Sequence, residues 1–267
     1  MIEVCDLAKS FVAKTGKTKR TVDAVRGMSL VARDGAVTGL LGPNSAGKTT
    51  TLRMIATLVI PDAGSALVDG YDSVRDALTV RARLGVLSDA RGLYTRLTAR
   101  ENIRYYGRLR GMTEASITTA IEKVAELIDM KALLDRRTEG FSQGERMKVA
   151  IARALVHDPQ NLVLDEATNG LDIMSVRALR ELIRRLADTG KCILMSSHIM
   201  QEITALADQI VIMAEGIAVA RGTTHEVIAA AGAANLEDAF IALTERAALA
   251  RVNENVASAT TLHGARA

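Results

Sequence analysis

Residues 37–41 read as an apolar strand, and after a stretch of small residues the pattern turns helical, with Leu52, Ile55, Ala56 and Val59 on one face. Pro61 is the expected stop of that helix. Two further short apolar runs, 162–164 and 192–195, flank a second helical pattern in which Val176, Leu179, Leu182 and Leu186 align and Gly190 closes the end. Strands alternating with helices predict an α/β fold: a parallel sheet covered by helices, with the functional site at the carboxyl ends of the strands.

The first 35 residues and residues 65–71 read differently, as β-like runs broken by turn residues, with a basic excursion over 14–20. They predict a small antiparallel β layer beside the core. Between about residues 93 and 156 the signals are helical, which predicts an α-helical subdomain inserted between two halves of the core. After Gly222 comes a helical stretch, then a polar, Ala-rich tail from about Arg251 with little to bury, expected to fray.

Composition changes this picture little. Apolar residues make up 48% and charged ones 24%, the balance of a folded domain. The 34 Lys and Arg against 31 Asp and Glu are scattered rather than gathered into a stripe, so charge implies no nucleic acid partner. Cys5 and Cys192 lie in apolar segments far apart, which favours reduced structural thiols in a cytoplasmic setting. No window approaches the roughly 20 apolar residues of a spanning helix, and the start lacks the layout of a signal peptide, so membrane contact is expected to pass through a partner.

The strongest chemical signal is Gly42-Pro43-Asn44-Ser45-Ala46-Gly47-Lys48-Thr49, which fits the phosphate-binding loop G-x-x-x-x-G-K-[ST] between a predicted strand and helix. Small residues let backbone N–H groups close around phosphate oxygens, and the helix start, with Thr50 in its first turn, adds its positive end. Lys48 is placed to neutralise the β- and γ-phosphates of ATP, and the Thr49 hydroxyl to bind Mg²⁺.

Phe141-Ser142-Gln143-Gly144-Glu145-Arg146 opens a helix shortly before Asn161-Leu162-Val163-Leu164-Asp165-Glu166. By itself Ser142 to Glu145 is a capping box on a helix whose face carries Met147, Ile151, Ala154 and Leu155. Beside the phosphate loop, the two segments resemble the signature and Walker B motifs of the ABC ATPases, a P-loop NTPase (RecA-like) family. Asn169-Gly170-Leu171-Asp172 resembles its D-loop, and His198 after Ser196-Ser197 its switch histidine. Phe11 lies in a segment similar to the A-loop, whose aromatic ring stacks on adenine, although a Phe beside a β layer is ordinarily core. His157, His225 and His263 have no such support and read as structural.

The resemblance covers about residues 2–243, leaving 244–267 as a C-terminal tail. Within the family, residues 13–21, 87–94 and 97–102 resemble the exporter branch that contains bacterial sodium-extrusion subunits. It implies two copies sharing two ATP molecules, each site joining Walker residues of one chain to Ser142, Gly144 and Asp172 of the other. Glu166 would polarise the attacking water, Asp165 and Thr49 would hold Mg²⁺, and Lys48 and His198 would stabilise the transferred phosphoryl. Further implications are a separate integral membrane permease and a place on the inner face of the cell membrane. Drugs, lipids or polysaccharides are alternative cargoes, and a soluble assembly ATPase is an alternative class.

Four positions depart from the pattern. Ser45 and Gln143 each replace a glycine, Ala167 a proline, and Asp89 stands where a glutamine usually contacts Mg²⁺ and relays to the permease. A carboxylate can still ligate Mg²⁺, so Asp89 is a candidate ligand beside the reading of an ordinary loop aspartate.

Overall fold

The chain opens with a long antiparallel hairpin, β1 (Ile2–Thr15) and β2 (Thr18–Ala32). After it, β3 (Val37–Leu41) begins a second sheet, while β4 (Ala63–Val68) and β5 (Tyr71–Asp72) return to the hairpin, giving a four-stranded sheet in the order β2-β1-β4-β5. Strands β6 (Leu84–Leu87), β7 (Asn161–Asp165), β8 (Cys192–Ser197) and β9 (Gln209–Ala214) join β3 in parallel. With β10 (Ile217–Gly222) antiparallel at one edge, the six-stranded order is β10-β9-β3-β8-β7-β6. This computed structural model describes residues 1–15, 18–88 and 92–264, with side-chain surroundings for 1–12, 21–88 and 92–253.

Alternation along the central strands assigns the two faces of the sheet. Ile193 and Met195 pack in one core layer with Met147, Ile151 and Leu182. Cys192 and Leu194 point the other way, into a layer with Leu52, Ile55, Val4 and Leu30. A period of two on strands buried on both faces produces the continuous apolar runs of the sequence. Each fully buried Leu or Ile here contributes about 1.5–3 kcal/mol, which fixes the register of the strands that carry the site.

Helix α1 (Lys48–Ile55) follows β3, and α2 (Ala77–Arg83) precedes β6. The expected helical insert is α3 (Ala99–Leu109), α4 (Glu114–Leu127) and α5 (Gln143–Leu155), with two short 3₁₀ turns between α4 and α5. Thr98 caps α3 in a capping box with Glu101. Arg100 of α3 then ties the insert together by bonding Glu122 at 2.7 Å and Asp135 at 2.8 Å. The remaining helices are α6 (Ile173–Asp188), α7 (Met200–Leu206), α8 (Thr224–Ala231) and α9 (Leu236–Gly264).

Three expectations are corrected. Helix α1 ends at Ile55 rather than at Pro61, because Thr57 turns left-handed with φ 62°. Its N–H donates to the Met54 carbonyl at 3.2 Å and that of Leu58 to Arg53 at 2.9 Å, a Schellman closure with threonine in the usual glycine place. The helical stretch does not stop at Arg251: α9 continues to Gly264. Of the two thiols only Cys192 is buried, where desolvation pushes it up to about 12; Cys5 is exposed, because β1 presents it outward.

Candidate functional site

The predicted phosphate loop leaves the carboxyl end of β3 and enters α1. Gly47 adopts φ 102°, and a Cβ there would lie 2.3 Å from the Ala24 carbonyl oxygen, so this position admits only glycine. Ser45 has φ 69°: the glycine it replaces belongs to a left-handed position, and its hydroxyl donates to the adjacent Asn44 carbonyl. Pro43, Asn44 and Ala46 complete the loop, with the Ala46 N–H donating to the Pro43 carbonyl at 3.2 Å. No side chain caps α1, leaving its first turn, with Thr50, free to meet an anion.

Lys48 is 5% exposed and folds back under the loop, donating to the carbonyls of Gly42 at 2.7 Å and Pro43 at 3.2 Å. Its ammonium also lies 3.4 Å from Glu166 Oε1. The other carboxylate oxygen, Oε2, is 2.8 Å from His198 Nδ1. Glu166, at φ 49°, is a non-glycine residue held left-handed, the kind of backbone strain that tends to gather at functional sites. Its N–H donates to the Ser196 hydroxyl at 3.1 Å, which pins the turn at the end of β7.

Thr49 Oγ1 donates to Asp165 Oδ1 at 3.2 Å, and Ser196 Oγ donates to the same oxygen at 2.6 Å. A hydroxyl and a carboxylate this close form a hard-oxygen pair that fits Mg²⁺. Three or more His, Cys, Asp or Glu grouped for a metal do not occur among the described residues, so a cation would draw its other ligands from phosphate and water. Asp89, the remaining candidate ligand, lies outside the described residues.

Ser142 caps α5 as the sequence predicts: its hydroxyl accepts from the Glu145 N–H, and Glu145 Oε2 accepts from the Ser142 N–H at 2.8 Å. That N–H, with Arg136 beside it, holds the Glu145 carboxyl below the usual range. Asp172 caps α6 through the Ser175 N–H at 3.0 Å and hydroxyl at 2.7 Å, and these bonds hold its carboxyl low as well. A cavity of about 620 Å³ joins the elements, lined by Thr49, Ser88, Gln143, Arg146, Asp165 and Glu166. The structure therefore brings Lys48, Thr49, Asp165, Glu166 and His198 together. Ser142, Gly144 and Asp172 sit at the starts of α5 and α6, outside the lining of that cavity. Phe11 is likewise outside it, 43% exposed on β1 with the Lys9 ammonium 5.7 Å from its ring centre.

Glu202 escaped the sequence reading. It is 4% exposed, and one oxygen accepts from the hydroxyls of Thr168 and Ser197, the latter at 2.8 Å. The loop after Glu166 and the strand end before His198 are thereby joined through one carboxylate. Its available signal was an acidic residue four positions after His198, amid Ile203 and Leu206 on a short apolar helix.

A parallel sheet with a phosphate loop, an Asp-Glu pair and a histidine at its carboxyl end defines a P-loop ATPase cassette. Residues 25–169 match the ABC transporter family, and the chain belongs to that family as an ATP-binding, ATP-hydrolysing subunit of a transporter. It is 45% identical over 228 residues to the ABC transporter ATP-binding protein NatA of Bacillus subtilis (strain 168), covering 85% of this chain and 91% of that one. It is 36% identical to the Nod factor export ATP-binding protein I of Paraburkholderia xenovorans (strain LB400), over 85% and 72% of the two chains. A solved structure described as the ATP-binding subunit of an ABC transporter superposes with a TM-score of 0.79 at 27% identity, covering 91% of this chain and 99% of that one.

Proposed function

We propose that this chain is the motor of an exporter: two copies bind two ATP molecules across a shared interface and drive a separate membrane permease from the cytoplasmic side. The observation that carries the catalytic part is the Glu166 carboxylate, set between the Lys48 ammonium at 3.4 Å and the His198 ring at 2.8 Å. A carboxylate so placed can accept a proton from an attacking water, while the cation and the ring are positioned to meet charge growing on the γ-phosphoryl group. Thr49 and Asp165 would hold Mg²⁺, which supplies neutralisation of phosphate charge when bound. The phosphate loop from Gly42 to Thr49 and the start of α1 grip the phosphates, and exposed Phe11 offers a face for adenine.

Ser142, Gly144 and Asp172, at the starts of α5 and α6, do not line the cavity beside Asp165 and Glu166, which suits them to meet the nucleotide of a second copy. Ser142, Gly144 and Asp172 would act there. No single helix among the described residues is long and apolar enough to cross a membrane, in keeping with transport through a separate permease. Because ATP closes the pair and hydrolysis reopens it, the difference in free energy can drive that permease between two states.

Export as the direction draws support from the Nod factor export relative. Sodium as the cargo rests on the resemblance of residues 13–21, 87–94 and 97–102 to the sodium-extrusion branch. The test is affinity purification of the chain from detergent-solubilised membranes, identification of stoichiometric partners, and reconstitution of the complex in vesicles. A multi-spanning partner and ATP-driven sodium efflux are expected. A complex that moves an organic cargo and leaves sodium untouched overturns the sodium assignment, and a chain with no multi-spanning partner overturns the motor assignment.

A further inference from the structure

Gln143 is the first residue of α5, and its side chain turns away from the helix to donate from Nε2 to the Asn169 carbonyl oxygen at 3.0 Å. Asn169 in turn donates its N–H to the Glu166 carbonyl at 3.1 Å. The next residue, Gly170, has φ 71°, and a Cβ there would lie 2.3 Å from Gln143 Nε2 and 2.9 Å from its Cδ and Oε1. Gly170 is thus the seat on which the amide rests. One position further along α5, a Cβ on Gly144 would lie 2.6 Å from the Ser175 hydroxyl, itself bonded to Asp172. Two consecutive residues of the first turn of α5 are therefore fitted, one against the middle of the loop that leads from Glu166 to α6 and the other against the first turn of α6.

We propose that Gln143 is a positioning residue that latches the start of α5 to the Asn169–Gly170 loop. The two segments that would reach a second copy then move as one unit, and that movement is transmitted to Glu166 of the same chain. A glycine at position 143 has no side chain with which to do this. The latch requires an N–H donor on a side chain of glutamine length, because the acceptor is a backbone carbonyl. It rests on the shared-site reading above, and its test is separable from that reading.

The experiment compares steady-state ATP hydrolysis by the full chain and its variants. Gln143→Ala and Gln143→Glu, the second nearly isosteric but without the donor, are expected to lower kcat about 3- to 10-fold, the factor one neutral hydrogen bond is worth. KM for ATP should stay within about twofold, since the phosphate loop holds nucleotide without Gln143. Gln143→Lys, which keeps a donor, should retain kcat within about twofold. Gly170→Ala strains the left-handed backbone in either background and also displaces the amide in the wild type, so it should lower kcat by a larger factor in the wild-type background than in Gln143→Ala. Wild-type kcat in both Gln143→Ala and Gln143→Glu, or an equal loss from Gly170→Ala in both backgrounds, overturns the latch. Sedimentation of Glu166→Gln with MgATP tests the shared site on its own: no dimer there refutes the shared site, whereas the kinetic cycle decides the latch.

Discussion

His198 Nδ1 lies 2.8 Å from Glu166 Oε2, across the gap between the ends of two neighbouring parallel strands. Ser196 at the end of β8 pairs with Asp165 at the end of β7, so the register of the sheet sets this distance rather than any flexible loop. Glu166→Gln is expected to bind ATP with nearly unchanged KM while kcat falls about 10²- to 10⁴-fold, the usual worth of a positioned base. His198→Ala should also lower kcat. The double variant should be little slower than the slower single one, because groups that act as a unit lose their effect together. Equal and multiplicative losses in steady-state kinetics would contradict a joint role.

Ser45 is in the left-handed region at φ 69°, where a Cβ costs roughly 1–2 kcal/mol, partly offset by the hydroxyl bond to the Asn44 carbonyl. Ser45→Gly removes the strain but enlarges the conformational freedom of the unfolded chain. Ser45→Ala keeps the strain and loses the bond. The expected order of stability in urea unfolding is Gly, then Ser, then Ala, with steps of about 0.5–1 kcal/mol. Alanine ranking above serine would show that the hydroxyl bond contributes nothing.

The phosphate loop, the parallel strands and the capping box of Ser142 were legible because each rests on local chemistry: apolar runs of strand length, small residues before Lys48, and a Ser-x-x-Glu spacing. What escaped the sequence depends on partners distant in the chain or on a backbone angle. Thr57 ends α1 by turning left-handed, which a threonine does not advertise. Glu202 reads as one more acidic residue until the fold places Thr168, 34 positions away, against it. The Gln143 amide likewise meets its acceptor 26 positions along the chain, so the substitution of a signature glycine gives no sign of the bond that replaces it.

Glu202 is a buried carboxylate whose accepted bonds come from Thr168 and Ser197. Glu202→Ala leaves both hydroxyls without this acceptor and opens a void, so a loss of about 2–4 kcal/mol is expected. Glu202→Gln preserves an acceptor oxygen and should cost about half as much. Chemical denaturation of the two variants checks the order, and a Gln variant as unstable as Ala would assign the loss to charge rather than to the bonds.

His157 follows α5 with its ring half-buried, Nε2 3.3 Å from the Leu84 carbonyl and Nδ1 without a partner among the described residues. Burial, with the Arg110 guanidinium adding to it, pushes the imidazole down from 6.5 to about 4. Between these two values the unfolded chain binds up to one more proton at this residue than the folded chain does. Unfolding free energy therefore rises with pH across that window: the contribution is fully present above about pH 6.5 and is lost as pH falls towards 4. The unscreened shift corresponds to about 3 kcal/mol, and partial solvent contact reduces the expected effect to about 2 kcal/mol. His157→Gln keeps a donor for the Leu84 carbonyl and removes the titration. Urea unfolding of both proteins at pH 7, 6 and 5 should show a steeper loss in the wild type by roughly that amount. Parallel pH dependences in the two proteins would mean that His157 titrates alike in the folded and unfolded chain, and that the acid sensitivity of the fold lies elsewhere.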